Sequence, residues 1–334
     1  MPSHAVDQGQ SATGAYRSAF QRFRAATNEA DSLLEAYQQL VLARRVRSLL
    51  DIGVGDGSLA APLAGRVSTY IGVERDPEFV ARLRRQGLDI RNGDFPLGST
   101  PPLDQSHRFD LVLLSHVLSY TAPLAATSAL LHAAWQHVHD GGAMLTVTHR
   151  GEGDDFDDIV AVVDPARRHL HRAAFRAIWA TVSALGPTRK YDLVTHVRAG
   201  DPAELLEMLA FTASNGDRDR RRQFLSHRGQ LLDLLTARYA CDDGSYAFPM
   251  LHKLLFTVSL GGLLKCATRA SDQPHQAGRP GPVSAFGERS ASSLRRRRPQ
   301  APAASRFPGV DVVHAAPRRA PSSPSSSWSS KEPP

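Results

Sequence analysis

The run Leu49-Leu50-Asp51-Ile52-Gly53-Val54-Gly55-Asp56-Gly57-Ser58 is the stretch best suited to chemistry. It reads as a buried strand ending in three alternating glycines, with a helix starting at once. Glycine lets a backbone turn tightly and approach a ligand where a Cβ would collide. In open α/β sheets this first turn, at the carboxyl ends of the strands, is where ligands sit. Seventeen residues after Gly57, a second strand ends at Glu74 in YIGVERDP, where a carboxylate can accept two hydrogen bonds from a ribose diol. A third short strand ends near Asp94 in IRNGDFP, placed to accept from an adenine amino group. A fourth, FDLVLLS, runs into His116, with Val117, Leu118 and Tyr120 following.

These positions require strands and helices to alternate around them. Val46–Val54 reads as a strand, Ser58–Arg66 as a helix and Thr69–Val73 as a strand. Pro77–Gln86 is helical, Asp89–Arg91 a brief strand and Phe109–Ser115 a strong one. Ala125–Val138 forms a helix expected to stop at Asp140-Gly141-Gly142, with Ala143–Thr148 as the next strand. Such alternation implies right-handed crossovers and a parallel sheet covered on both faces. Upstream, Tyr16, Phe20 and Phe23, then Leu33, Leu34, Tyr37 and Leu40, recur at helical spacing, with a break near Asn28–Asp31. Downstream, Asp157–Leu185, Pro202–Thr212 and Gln223–Tyr239 are helical, and Gly216–Arg222 is a loop or helix entrance. Lys190–Arg198 and Tyr246–Ser259 read as long strands.

Taken together, DIGVGDG, GVERDP, NGDF, FDLVLLSHVL and DGGAMLTV resemble the class I S-adenosylmethionine-dependent methyltransferases over residues 46–150. A nicotinamide fingerprint reads G-x-G-x-x-G, whereas here the third glycine comes one residue early. The resemblance implies an α/β, doubly wound, mostly parallel sheet of the Rossmann-like, seven-stranded methyltransferase type. N-terminal helices and a helical insertion in the C-terminal half complete it, with the last strand antiparallel. It also implies S-adenosyl-L-methionine as cofactor. Asp51, Gly53, Gly55 and Gly57 would surround its methionine part, Glu74 its ribose, and Asp94 and Phe95 its adenine. Ser115 or His116 would lie beside the sulfonium. Structural roles compete at several positions: Asp51 could tie down the loop, Asp94 could cap a turn, and Phe95 could be core.

Methyl transfer from a sulfonium is a direct displacement, so the protein need only align donor and nucleophile and, for some acceptors, remove a proton. His116, Tyr120 and His149, each at or just beyond a strand end, are the candidate bases or orienting groups. The acidic run Gly151–Asp158 invites a magnesium or calcium reading. A helix N-terminus explains it better, because carboxylates complement the macrodipole there. No metal is expected. His169 and His171, two apart, do not share a helix face. The aromatic helix at Tyr16–Phe23 could lie over the cofactor mouth, and the closed pocket this implies suits a small-molecule acceptor of methyl on N or O.

The 334 residues carry 40 Lys+Arg against 33 Asp+Glu, a net charge of +7. That entire surplus lies in residues 267–334, so residues 1–266 sum to zero and carry no net-charge signature of a nucleic-acid binder. Three segments follow: a flexible leader at 1–14, a methyltransferase domain at 15–266 and a disordered Pro/Ser/Arg-rich tail at 267–334. Within the domain, 46–150 is the cofactor core and 151–266 holds the substrate-side helices and final strands. The block Arg295–Arg298 is a solubilising feature, a localisation signal or a weak contact for acidic partners, nucleic acid included. Two cysteines exclude a disulfide framework and fit a reducing compartment. The polar start MPSHAVDQGQSATG lacks the apolar core of a secretory signal, and no apolar run spans a bilayer, so the expected location is cytoplasmic. Two other activities remain open: methylation of RNA or protein guided by the tail, and a catalytically silent protein that binds the cofactor.

Overall fold

A computed structural model describes residues 16–260, apart from 97, 101–102, 105, 121–123, 150–153 and 216. The leader at 1–14, the tail at 267–334, Cys266 and the block Arg295–Arg298 lie outside the described residues. The first two helices, α1 (residues 16–26) and α2 (Glu29–Arg44), are separated where Thr27 bridges to Val197 and the Asn28 side chain accepts the His196 N–H at 2.7 Å. The core then alternates: β1 (Ser48–Ile52), α3 (Ala60–Ala64), β2 (Thr69–Glu74), α4 (Pro77–Arg85), β3 (Ile90–Asp94), β4 (Gly98–Thr100) and β5 (Phe109–Ser115). A 3-10 turn at Val117–Tyr120 leads to α5 (Leu124–Gln136) and β6 (Val138–Thr148). Next come α6 (Asp155–Val163), α7 (Pro165–Leu185), β7 (Thr188–Ala199), α8 (Pro202–Ser214), α9 (Arg218–Leu225), α10 (Arg228–Tyr239) and β8 (Tyr246–Val258).

One eight-stranded sheet results, in the order β4-β3-β2-β1-β5-β6-β8-β7. β1, β2, β3, β5 and β6 are mutually parallel, while β8 runs antiparallel between β6 and β7. The order reverses between β1 and β5, which opens a crevice at their carboxyl ends. The expected doubly wound fold and antiparallel last strand are both present. β4 adds a short antiparallel edge to the seven strands.

Both faces of the sheet are buried, as a parallel sheet requires. Leu49, Leu111, Leu113, Leu145 and Val147 pack toward α2, α3 and α4 through Tyr37, Leu63 and Leu83. Their neighbours Leu50, Ile52, Val112, Leu114 and Met144 face α5 and α7 through Leu131, Ile178 and Val182. A third cluster joins α6, α8 and α10 to the ends of β7 and β8 around Phe224, Phe248 and Met250, the helical insertion anticipated for the C-terminal half.

Asp-Pro pairs set three helix starts. Asp76, Asp164 and Asp201 each accept backbone N–H groups of the first turn, and Pro77, Pro165 and Pro202 need no donor there. Asp164-Pro165 therefore splits the helical stretch 157–185 into α6 and α7. Asp217 likewise caps α9, so the charged run before Arg222 is a helix start rather than a loop.

One expectation is overturned. Gly141-Gly142 does not end a helix: α5 stops at Gln136, and β6 already begins at Val138. β6 is irregular there, pairing Val138 with Phe109 and then Ala143 with Leu111. Gly141 adopts φ +84°, and a Cβ on Gly142 would lie 2.9 Å from the Phe109 carbonyl oxygen. These glycines serve a bulge against β5.

Candidate functional site

The glycine loop behaves as its sequence demands. Gly53, Gly55 and Gly57 have φ of +79°, +62° and +77°, a region that penalises any Cβ. The Gly53 N–H donates to the Val73 carbonyl at 2.8 Å, clamping the loop to β2. Glu74 is buried, with Oε2 accepting from the Gly55 N–H and Oε1 from the Asp76 N–H, both at 2.8 Å. Each carboxylate oxygen keeps a further lone pair, so Glu74 can still accept from a diol.

These groups line a cavity of about 840 Å³. Its walls include Gly53, Gly55, Glu74, Asp94, Phe95, Ser115 and His116, so the crevice brings seven of the eleven candidate residues together. Asp94 is exposed, and Phe95 also packs against His137 with ring centroids 5.8 Å apart. Ser115 shares a 3.0 Å hydrogen bond with the buried Tyr37 hydroxyl. Asp51 does not line the cavity: it accepts the Tyr70 hydroxyl at 2.8 Å, and burial pushes its carboxyl up to about 6 against that bond. Gly57 stands behind the loop, packed on Leu83. Tyr120 closes the 3-10 turn, and its side chain lies outside what is described.

Two catalytic candidates meet. The rings of His116 and His149 stack with centroids 3.9 Å apart, on the ends of adjacent strands. His116 has φ +59°, a left-handed conformation unusual for a side chain with a Cβ and typical of residues held for function. Burial, and next the charge of Arg24, lowers His116 to about 3. Burial, and next His116, lowers His149 to about 3.

Two partners of this pair come from distant parts of the chain. Glu29, the first residue of α2, lies 3.8 Å from His116 Nε2 and 3.9 Å from His149 Nε2. His252, fully buried in β8, brings Nδ1 to 3.2 Å from His116 Nε2 and bonds Thr195 through Nε2 at 2.7 Å. Burial drives His252 well below its ordinary value. Only the fold joins these positions. A histidine within the apolar run MLHKLLF is the trace that could have drawn attention to His252.

From α1, Tyr16, Phe20 and Arg24 complete the cavity wall. Arg24 bonds Glu29 Oε1 at 3.1 Å and also contacts Ser58 and Asp56 beside the glycine loop. Within the acidic run at 151–158, Asp154 caps α6, Asp157 meets His171 at 2.8 Å, and Asp158 pairs with Arg168 and Arg238. Residues 151–153 lie outside the described part.

A family model described as a methyltransferase domain matches residues 50–144. The matched segment is a class I, S-adenosylmethionine-dependent methyltransferase domain, and S-adenosylmethionine is its cofactor. The chain is thereby a methyl-transferring enzyme. No curated protein matches it by sequence. Among solved structures, the YcgJ protein of Bacillus subtilis is 16% identical with a TM-score of 0.43, covering 68% of this chain and 100% of that one. CalS10, an amino pentose methyltransferase from Micromonospora echinaspora, is 26% identical with a TM-score of 0.31, over 40% of this chain and 55% of that one. The sugar N-methyltransferase KedS8 from Streptoalloteichus is 21% identical with a TM-score of 0.35, over 55% and 63%. The chain thus spans the whole of the first and little more than half of the other two.

The cavity suits that cofactor. Gly53 and Gly55 line it in left-handed conformations without a Cβ, and an anchored carboxylate, Glu74, stands one strand away. No helix among the described residues is long and apolar enough to cross a membrane.

Proposed function

We propose that this enzyme moves the methyl group of S-adenosylmethionine to nitrogen or oxygen of a small-molecule acceptor. One observation carries the reading: the cofactor-side residues Gly53, Gly55, Glu74 and Asp94 share a single cavity with Glu29, Ser115 and His116, under the aromatic side chains of α1. A pocket of this volume, walled by a helix, suits a small molecule better than a polymer. The cofactor supplies an electrophilic methyl group on sulfur. Glu74 would hold the ribose hydroxyls and Asp94 the adenine amino group, with Phe95 against the ring. Asp51 and the glycines would frame the methionine end, Asp51 acting from behind the loop through Tyr70.

Burial keeps His116 and His149 neutral near pH 7, each with a lone pair able to orient an acceptor, while the same burial makes both weak bases for taking its proton. Tyr120 belongs to the same strand-end turn and is the third candidate for that task. Nucleic acid has no evident place at the core, given its zero net charge.

The test uses S-adenosylmethionine carrying an isotopic methyl label, incubated with the full chain and an extract of small metabolites. Appearance of a labelled metabolite is expected. Label entering only RNA or protein would favour the polymer reading. Calorimetry showing no cofactor binding at millimolar ligand would overturn the proposal.

A further inference from the structure

We propose that Glu29, His116, His149 and His252 form a binding site for one divalent transition ion of the zinc class. This departs from the expectation of no metal that the sequence alone supports. Four ligand atoms, from the start of α2, the ends of β5 and β6 and the middle of β8, all lie within 4.8 Å of one another. Tetrahedral zinc with bonds of about 2.0–2.1 Å holds its ligand atoms about 3.4 Å apart. His252 Nδ1 and His116 Nε2 stand 3.2 Å apart and His149 Nε2 stands 3.9 Å from Glu29 Oε2, on either side of that value, while His116 Nε2 is 3.8 Å from the other carboxylate oxygen, Oε1.

The surroundings fit a ligand set. With Nδ1 as ligand, His252 Nε2–H donates to the Thr195 hydroxyl at 2.7 Å, which fixes the ring and turns Nδ1 toward the cluster, as the outer partners of metal-bound histidines do. Arg24 occupies Glu29 Oε1, leaving Oε2 on the side of His149. His116 and His149 stack so that both Nε2 atoms face the same carboxylate. Three imidazoles and one carboxylate favour zinc, cobalt, nickel or ferrous iron over magnesium or calcium, which prefer all-oxygen sets.

Glu29 and His116 also line the cofactor cavity, so an ion there could accept a further ligand from it. On the proposed methyl transfer, that ligand is the acceptor's nitrogen or oxygen, which the ion would hold and polarise. The ion site itself does not rest on that reading.

The experiment uses untagged full-length protein, stripped by chelator and dialysed. Zinc calorimetry should give one ion per chain, and cobalt should give the intense visible bands of four-coordinate geometry. His149→Gln and His252→Gln should each weaken zinc at least tenfold, and Thr195→Val by about 10–100-fold, the effect typical of an outer partner. Circular dichroism reports whether each variant folds, while the cobalt spectrum of the unaltered chain needs no variant. The site is overturned by no stoichiometric zinc, by a weak octahedral cobalt spectrum, or by folded histidine variants with unchanged affinity. S-adenosylmethionine calorimetry on the same samples separates the two proposals. Cofactor binding without metal sinks only the ion site, and metal without cofactor binding sinks only methyl transfer.

Discussion

Glu74 accepts the backbone N–H of Gly55 at 2.8 Å, nineteen positions back in the chain. Its other oxygen holds Asp76, so one side chain fastens both the glycine loop and the start of α4. Glu74→Ala therefore removes the anchor of the loop and, on the proposed function, a contact to the ribose. Cofactor affinity should fall by about 1–3 kcal/mol, the usual worth of a charged hydrogen-bond partner. Calorimetry measures it directly, and an unchanged Kd would remove Glu74 from the ribose site.

Two glycines of the loop should respond differently to alanine. At Gly55 nothing lies within 4 Å of the added Cβ, so the cost is the left-handed backbone alone, about 1–2 kcal/mol. At Gly57 the Cβ would come 2.1 Å from Leu83 Cδ2, adding about 1–3 kcal/mol of overpacking. Urea unfolding should rank Gly57→Ala below Gly55→Ala. Equal midpoints would mean that Leu83 yields freely.

Asp51 makes stability depend on pH. Burial raises its carboxyl from 3.8 to about 6 in the folded protein, whereas the unfolded chain keeps the ordinary value. Between those values the folded state holds a proton that the unfolded state has released. The associated stability is therefore greatest below about pH 4 and is lost as pH rises through 6. Asp51→Asn should remove this loss, gaining up to about 3 kcal/mol relative to the unaltered protein between pH 4 and pH 8. Denaturation midpoints at both pH values test it, and parallel curves for the two proteins would refute it.

Arg17 makes a bidentate pair with Asp76, with hydrogen bonds of 2.9 and 2.8 Å. This ties α1 to the cap of α4. Arg17→Gln should speed amide hydrogen exchange across residues 16–26 by about 5-fold or more, equivalent to about 1 kcal/mol of local stability. The central strands should be unaffected. Uniform acceleration through the sheet would show that the pair supports the whole fold instead.

The glycine-loop half of the candidate site was legible because its signals are local. Gly53, Gly55 and Gly57 announce a backbone conformation, and Glu74 follows at the distance one crossover sets. The strands around them are runs of Leu, Ile and Val that only a doubly covered sheet can bury. Gly141-Gly142 misled because glycine serves helix ends and strand bulges alike, and only pairing with Phe109 distinguishes them. Glu29 and His252 were illegible for a different reason. They meet His116 through sheet order, with β8 inserted beside β6, and no spacing in the chain encodes that neighbourhood.

Two of the three arginines of α1 fasten it at separate points, Arg17 to Asp76 and Arg24 to Glu29 and Asp56. All three carboxylates belong to the rim of the same cavity. A reactant entering beside this helix passes these charge pairs, and ions in the medium compete for their exposed members. Raising ionic strength should hasten both arrival and departure while leaving the interior of the sheet untouched. Turnover in this enzyme would then be tuned by the salt around it as well as by the chemistry within it.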